Sequence, residues 1–262
     1  MDSQYYLDYY EAERNHWFFK SRNAVILQHI NDLYSNEVKG TLKILNVGVA
    51  TGHSSELLQS IGTVSSLEFD KDCCEFLNEK LPELKVIQGS ILELPFEDDT
   101  FDLVCAFDVI EHVEDDLTAV NELKRVCQNS GHIVLTVPAF MSLWSSHDEV
   151  NHHFRRYRKD KIKSLLNTSG TLKYLTYFNF FLFPPVFIFR KISVLLKKFT
   201  PSKSKEDTAG SDLDHFNKES FVSRCLFRIL VSEKMFIRWR FVLPFGVSIL
   251  ASWQKSNSDI ED

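Results

Sequence analysis

Two short segments concentrate the side chains that could transfer a proton. DVIEH contains His112, and HDEVNHHFRRY adds His147, Asp148, His152 and His153. Imidazole titrates near neutral pH, and beside a carboxylate it can take a proton from a hydroxyl. We therefore predict that catalytic residues come from the group His112, His147, Asp148 and His153. The alternative for His112 is a polar cap of the next helix.

A metal ion is a further possibility for His147, His152 and Asp148, since imidazole and carboxylate groups are zinc ligands. Loop histidines more often form only hydrogen bonds, so we predict no metal centre. The five cysteines contain no C-x-x-C pair, and their odd number disfavours a disulfide framework. This cysteine usage indicates a reducing, cytoplasmic location.

Arginine and aromatic side chains near these segments could hold a substrate. Arg155 and Arg156 precede Tyr157, and guanidinium groups suit phosphate or carboxylate. The lysines that follow are better explained as a solvated helix face. Near the amino terminus, HWFFKSR offers Trp17 as part of a lid, although core packing is the alternative. The predicted substrate residues are Trp17, Arg155, Arg156 and Tyr157.

A third segment, ILNVGVATGHSSELL, has the pattern of a buried strand, a glycine turn and a helix start. Gly48 and Gly52 would let the backbone approach a ligand, and the helix start favours a carboxylate. Glu68 lies about twenty residues after Gly48, where a carboxylate can accept hydrogen bonds from both ribose hydroxyls. A nicotinamide dehydrogenase is the competing explanation, but G-V-A-T-G lacks the G-x-G-x-x-G spacing that holds a pyrophosphate.

Alternating strand and helix patterns position these segments. A first helix is predicted over residues 4–34, ending near Ser35, and a helix in HSSELLQSIG is predicted to close at Gly62. A further helix is predicted over DDLTAVNELKRVCQNSG. Strands are predicted in TLKILNVG, VSSLEF, LKVIQG, FDLVCAFD, HIVLTVPA and PFGVSILASWQK. This alternation predicts a doubly wound α/β fold with a mostly parallel sheet, in which ligands bind at the carboxyl ends of the strands.

The order ILNVGVATG, SSLEFD, IQGSILELPFEDDTFDLVCAFDVIEHVEDD and GHIVLTVPA resembles the class I S-adenosylmethionine-dependent methyltransferases over roughly residues 40–140. HWFFKSR and HDEVNHHFRRY are similar to a bacterial branch that methylates small molecules, or sugars and lipids of the cell surface. The resemblance implies a Rossmann-like sheet of seven strands. It also implies an N-terminal helical cap over residues 1–40 and a methyltransferase domain over 41–262, with a hydrophobic helical insertion at about 179–242.

The resemblance further implies S-adenosyl-L-methionine as the cofactor. Glu68 would bind its ribose, Ser90 and Ile91 would flank its adenine, and Phe107 with Asp108 would line its methionine part. The expected cofactor residues are Arg22, Asn46, Gly48, Ala50, Gly52, Glu68, Phe69, Ser90, Ile91, Phe107 and Asp108.

The chain departs from the family pattern at three of these positions. The family usually has an acidic residue at Asn46 and a glycine at Ala50, and often an aspartate at Ser90. Asn46 still accepts a hydrogen bond but carries no charge, and Ala50 is expected to be tolerated only if its φ is negative. Charge-assisted hydrogen bonds contribute roughly 1.5–3 kcal/mol and neutral ones about 1 kcal/mol. Weaker cofactor binding is therefore expected.

The net charge and the hydropathy of the chain limit which macromolecules or surfaces it is expected to bind. The net charge of −6 and pI of about 5.9 argue against nucleic acid. Residues 174–189 contain no charged side chain and are followed by Arg190 and Lys191, but the segment is too short to span a bilayer. Such a segment is typical of a helix at a membrane surface, so peripheral contact of 174–199 with the inner membrane face is predicted. A cover over the sheet or a dimer contact is the alternative.

The sequence as a whole predicts an S-adenosylmethionine-dependent methyltransferase, EC 2.1.1.-, that acts on oxygen of a small-molecule, sugar or lipid-linked acceptor. Two alternatives use the same fold. One is a non-catalytic protein that binds the cofactor, and the other is a membrane-associated scaffold.

Overall fold

The computed structural model describes residues 3–34, 38, 40–199 and 220–257 of the chain. The predicted end of the first helix near Ser35 lies outside the described residues, as do residues 200–219.

One seven-stranded sheet organises the chain. Its strands are β1 Leu42–Val47, β2 Gly62–Glu68, β3 Val86–Gln88, β4 Phe101–Phe107, β5 Cys127–Pro138, β6 Gly170–Phe178 and β7 Ser248–Lys255. Their order across the sheet is β3-β2-β1-β4-β5-β7-β6. The first five in this order pair in parallel, whereas β7 is antiparallel to both β5 and β6. The predicted mostly parallel, Rossmann-like sheet is confirmed.

Helices cover both faces of the sheet, as the doubly wound fold requires. They are α1 Ser3–Asn15, α2 Trp17–Leu33, α3 His53–Leu58, α4 Lys71–Lys80, α5 Asp116–Val126, α6 Ser146–Val150, α7 Lys159–Leu165, α8 Phe183–Phe199 and α9 Phe221–Arg238. One core cluster packs Leu123 of α5 against Val104 of the sheet. The other packs Ile26 of α2 and Ile237 of α9 against Leu103.

The predicted single N-terminal helix is wrong, because α1 and α2 are separate. His16 has an extended backbone with ψ of 134°, and its Nδ1 accepts a hydrogen bond from the backbone N of Phe18. This contact caps a new helix. The break lets α1 leave the axis of α2 and reach the glycine turn after β1.

Two element boundaries also differ from the sequence prediction. Gly62 does not close α3; it begins β2, where a Cβ would lie 2.2 Å from the carbonyl O of Leu42. Glycine is therefore required there for close strand packing. The helix predicted over DDLTAVNELKRVCQNSG ends at Val126, and Cys127 already belongs to β5.

The apolar segment 174–199 is not one surface helix. Residues 174–178 belong to β6, where the side chains of Tyr174 and Phe178 are 5% and 0% exposed. Helix α8 begins only at Phe183, and Pro184 and Pro185 fall in its first turn, where proline is tolerated. Within the described residues no helix is long and apolar enough to cross a membrane.

Candidate functional site

The glycine turn lies at the carboxyl end of β1, at the edge where ligands bind in such sheets. Gly48 and Gly52 have φ of 67° and 85°. A Cβ on Gly48 would lie 2.6 Å from Val109 Cγ2, in the loop after β4. Gly48 is thus needed for both its conformation and its close contact with the neighbouring strand end.

Ala50 adopts a conformation that its type disfavours. Its φ is +47°, so the condition of a negative φ is not met. A β-carbon in this region costs about 1–2 kcal/mol. The cost is offset locally, because Ala50 N donates a 3.0 Å hydrogen bond to Glu68 Oε2 and Ala50 O lies 3.0 Å from Cys73 Sγ.

Glu68 lies at the predicted place, at the carboxyl end of β2, and it has a second role. Its Oε1 accepts hydrogen bonds from the backbone N atoms of Phe69 and Asp70 at 2.9 and 3.0 Å. Burial raises the pKa of the Glu68 carboxyl, and these backbone hydrogen bonds partly oppose the rise. One carboxylate therefore ties the loop after β1 to the loop after β2.

The side-chain oxygen of Asn46 is a buried hydrogen-bond acceptor without a donor among the described residues. Its Nδ2 donates to Ser54 Oγ at 2.8 Å and Ser55 Oγ at 2.9 Å, which fixes the orientation of the amide. Its Oδ1 is buried and has no hydrogen-bond partner among the described residues. Buried polar atoms are rarely left unpaired, so this oxygen suits a donor on a bound ligand.

The remaining predicted cofactor residues differ in how well they can touch a ligand. Phe69 is 74% exposed beside Glu68, which leaves its ring free to cover a ligand. Ser90 Oγ accepts a 3.1 Å hydrogen bond from Leu92 N and can still donate its own proton. The side chain of Ile91 is 5% exposed and packs in the core, so only its backbone could approach adenine. Phe107 lines a small cavity between α2 and α3.

Arg22 and Asp108 join α2 to the carboxyl end of β4. Arg22 Nη2 lies 2.6 Å from Asp108 Oδ2 and donates to Thr136 Oγ1 at 3.0 Å. The Arg22 side chain is only 10% exposed, whereas that of Asp108 is 36% exposed. Arg22, which was predicted to bind the cofactor, therefore lies at the carboxyl edge of the sheet. Its guanidinium is already bound to the Asp108 carboxylate.

Helix α1 packs directly on the glycine turn, a set of contacts that the sequence did not predict. Tyr6 OH donates to Asp70 Oδ1 at 2.9 Å, Glu13 binds Thr51, and Arg14 pairs with Glu56 of α3. Arg14 Nη2 also donates to the Thr51 carbonyl at 3.2 Å. Only the acidic and aromatic composition of α1 hinted at polar contacts, and nothing in the pattern identified their partners.

A carboxylate–histidine cluster lies one turn beyond β4. One ligand atom from each of Glu111, His112 and His153 lies within 4.8 Å of the others. The rings of His112 and His153 are 4.5 Å apart and nearly perpendicular. Partial desolvation and the neighbouring His153 lower the pKa of His112 to about 4. The structure brings together His112 and His153, two of the predicted catalytic residues, and adds Glu111 to them. The sequence signal for Glu111 was its position directly before His112 in DVIEH.

Asp148 and Arg156 are not free to act on a substrate. Arg156 Nε lies 2.7 Å from Asp148 Oδ1, and the two side chains are 4% and 0% exposed. Although burial opposes it, hydrogen bonds from His153 and Arg156 hold the pKa of Asp148 well below its usual value. Asp148 instead orients His153, whose Nδ1 lies 2.9 Å from Asp148 Oδ1. The buried ion pair leaves neither side chain accessible, and a catalytic role for Asp148 and a substrate-binding role for Arg156 stay predictions.

Tyr157 and Arg155 are likewise held by the protein. Tyr157 is 1% exposed, and its hydroxyl donates to the Ile110 carbonyl at 3.2 Å, so it cannot reach a substrate. Arg155 Nη1 lies 3.0 Å from Asp116 Oδ2, which leaves little of its guanidinium for an anion. These two side chains tie the segment after α6 to Ile110 and to Asp116 of α5, and the substrate roles predicted for both stay predictions.

The side chains of Trp17 and His147 are at least partly open to solvent. Trp17 is half-buried, and its indole Nε1, which is buried, has no hydrogen-bond partner among the described residues. His147 is exposed, and its ring lies 6.3 Å from that of His153. His147 therefore borders the cluster without belonging to it.

Comparisons with known proteins match this chain to methyltransferases. Residues 45–135 match the family model described as a methyltransferase domain. A Mycobacterium tuberculosis protein described as a probable S-adenosylmethionine-dependent methyltransferase is 27% identical over 159 residues, which cover 60% of this chain and 56% of the relative. The demethylmenaquinone methyltransferase of Staphylococcus aureus is 31% identical over 121 residues, or 41% of this chain and 50% of that protein. The chain thus spans about half the length of these relatives.

Solved structures show the same fold. Phosphoethanolamine N-methyltransferase 2 of Haemonchus contortus, in complex with S-adenosyl-L-methionine, superposes with a TM-score of 0.56 at 14% identity. The superposition covers 90% of this chain and 52% of that chain. The family resemblance drawn from the four sequence motifs is confirmed.

Proposed function

Because the chain belongs to the class I S-adenosylmethionine-dependent methyltransferase superfamily, we propose that it transfers a methyl group to oxygen of an acceptor held beside His112 and His153. The cofactor is S-adenosyl-L-methionine, in line with the relatives that share this domain. The observation that carries the proposal is the arrangement at the sheet edge. The glycine turn, Glu68 and the cluster all follow carboxyl ends of neighbouring strands.

The residues present fit this cofactor. Glu68 would accept hydrogen bonds from the ribose, since a carboxylate has lone pairs beyond those used by the backbone. The unpaired Oδ1 of Asn46 would accept a hydrogen bond from a cofactor donor. Arg22 and Asp108 would flank the charged amino-acid end. When bound, S-adenosyl-L-methionine supplies a methyl group already activated by its sulfonium.

The cluster supports oxygen as the acceptor atom. A hydroxyl must lose its proton on methylation, and a positioned imidazole promotes that step. The lowered pKa of His112 keeps its ring neutral near pH 7, and Asp148 orients the ring of His153. The acceptor is a small molecule, a sugar or a lipid-linked group, as the branch resemblance implies.

The N-terminal residues 1–40 act as a cap in this proposal. Helix α1 contacts the glycine turn through Glu13 and Arg14, and α2 contributes Arg22. The remaining residues, 41–262, form the methyltransferase domain, with an insertion at about 179–242 that contains α8 and α9. Opening of α1 would admit the cofactor.

Calorimetry with S-adenosyl-L-methionine and S-adenosylhomocysteine tests the proposal first. Methyl-labelled cofactor is then supplied with hydroxyl, amine and carbon acceptors, and labelled product is measured. Absence of cofactor binding would overturn the proposal. Binding without transfer to any acceptor would instead favour the alternative of a non-catalytic cofactor-binding protein.

Helix α8 supports a peripheral membrane contact that would present a lipid-linked acceptor. Ile188, Phe189 and Ile192 are 57%, 62% and 49% exposed, and Lys191 lies among them. An exposed apolar face beside cations is typical of a helix at an anionic membrane surface. In this proposal the contact starts at α8 and does not include β6.

Sedimentation with lipid vesicles tests the contact. The protein should bind vesicles that contain anionic lipid more than neutral phosphatidylcholine vesicles, and Ile188→Asp with Phe189→Asp should abolish binding. Leu117→Asp is the matched control, since Leu117 is a 52% exposed residue on α5. Equal loss in the control, or no binding by the native chain, would remove the membrane contact.

A further inference from the structure

Glu111 is a buried carboxylate without a hydrogen-bond partner. It is 0% exposed, and neither Oε1 nor Oε2 has a partner in the part of the chain that the structure describes. Burial of an unpaired carboxylate is costly, so such groups are normally paired or bound to a metal. The two nearby arginines are already used, since Arg22 binds Asp108 and Arg156 binds Asp148.

Two imidazoles complete a set of metal ligands around this carboxylate. The ligand atoms of Glu111, His112 and His153 lie within 4.8 Å of one another. Tetrahedral bonds of about 2.0–2.1 Å place neighbouring ligand atoms roughly 3.3 Å apart. Modest side-chain rotations would therefore close the three atoms around one ion.

The surroundings of His153 match those of a metal-binding histidine. Its Nδ1 lies 2.9 Å from Asp148 Oδ1, which leaves Nε2 as the ring nitrogen for an ion. Metal-bound histidines commonly donate their other ring N–H to a carboxylate, which fixes the ring and raises its basicity. Asp148 is itself fixed by Arg156 Nε at 2.7 Å and by Ser145 N at 2.9 Å.

We propose that Glu111, His112 and His153 bind one divalent transition-metal ion, with Asp148 as the positioning carboxylate behind His153. Two imidazoles and one carboxylate suit ions such as zinc or manganese and leave coordination positions open. The open positions would take an oxygen of the acceptor, and the ion would promote loss of its proton, so in the metal-bound protein the two imidazoles act as ligands and not as bases. This last role rests on the proposed function. The prediction of no metal centre considered only His147, His152 and Asp148, and it did not include Glu111.

Direct metal binding tests the site without any enzyme assay. The full chain, without a histidine tag and stripped by chelator, is titrated with Co²⁺ by visible absorption and with Zn²⁺ and Mn²⁺ by calorimetry. The protein should bind one equivalent of at least one of these three ions. Glu111→Gln, which keeps the side-chain shape, should weaken binding by 10-fold or more.

Neighbouring histidines provide the control. His152→Asn should leave binding unchanged within 2-fold, because His152 is exposed and asparagine tolerates its φ of 54°. If Glu111→Gln does not fold by circular dichroism, His112→Gln replaces it and should show the same loss. Absence of stoichiometric binding, or equal weakening in His152→Asn, would overturn the site.

Cofactor calorimetry on the metal-free protein separates this inference from the proposed function. Stoichiometric metal binding without cofactor binding would leave the metal site standing and remove the methyltransferase proposal. If the protein binds none of the three ions but still binds the cofactor and transfers methyl groups, the metal site is removed and the methyltransferase proposal stands.

Discussion

Ala50 N donates a 3.0 Å hydrogen bond to Glu68 Oε2, so the carboxylate expected at the ribose also holds the glycine turn in place. Ala50 occupies left-handed backbone space there, with a φ of +47°. In the proposed function, Glu68 therefore couples cofactor recognition to the conformation of the loop. Changes at either position should affect both properties.

Glu68→Ala should lower cofactor affinity and stability together. Loss of hydrogen bonds to a charged group costs about 1.5–3 kcal/mol of binding, and the unpaired N–H of Ala50 adds a destabilisation of about 1–3 kcal/mol. Calorimetry and thermal unfolding measure the two effects. Glu93→Ala, at a surface position in the next loop, should change neither, and unchanged affinity in Glu68→Ala would remove Glu68 from the site.

Ala50→Gly should be tolerated and should keep or increase cofactor affinity. Glycine removes the left-handed strain of about 1–2 kcal/mol, and its larger unfolded-state entropy cancels about half of that gain. Gly48→Ala is the contrasting variant and should destabilise, because its Cβ would lie 2.6 Å from Val109 Cγ2. If thermal unfolding shows Ala50→Gly to be the more harmful change, the turn depends on its alanine.

Six of the seven strands were predictable from sequence because they are short apolar runs separated by helix and turn signals. Strand β6 was not, because its apolar residues 174–178 continue into the segment that was predicted to lie at a membrane surface. Gly48, Gly52 and Glu68 were predictable too, since their spacing along the chain fixes their place at the sheet edge. The roles of Arg156 and Tyr157 were not, because burial of a charged or phenolic group depends on partners such as Asp148 and Ile110 O, which lie far away in the sequence or on other elements.

Glu233 should make stability depend on pH. It is 1% exposed on α9, and burial raises the pKa of its carboxyl to about 7. Because the folded value lies above the usual 4.5, the native state is favoured below pH 4.5 and loses stability as pH rises through 7. The loss by pH 8 is about 3 kcal/mol.

Glu233→Gln should remove this dependence. Glutamine resembles the protonated carboxyl, so the free energy of unfolding should match the native protein at pH 4 and exceed it at pH 8. Denaturant unfolding at several pH values measures the difference. Glu75→Gln, whose side chain is 65% exposed, should follow the native profile. Parallel curves for Glu233→Gln and the native chain would show that the pKa of Glu233 is the same in the folded and unfolded states.

Arg156→Ala should destabilise the protein strongly, by about 3–5 kcal/mol, because the buried Asp148 carboxylate loses its guanidinium partner and keeps only its contacts with His153 and Ser145 N. The Asp148 side chain is 0% exposed, so water cannot replace the lost guanidinium. His147→Ala on the adjacent exposed position should stay within about 0.5 kcal/mol of the native stability. Urea unfolding measures both variants. Asp148→Asn combined with Arg156→Met should recover part of the loss, because it removes both charges. If Arg156→Ala unfolds like the native chain, the ion pair contributes little, and Arg156 would again be available to hold an anionic acceptor.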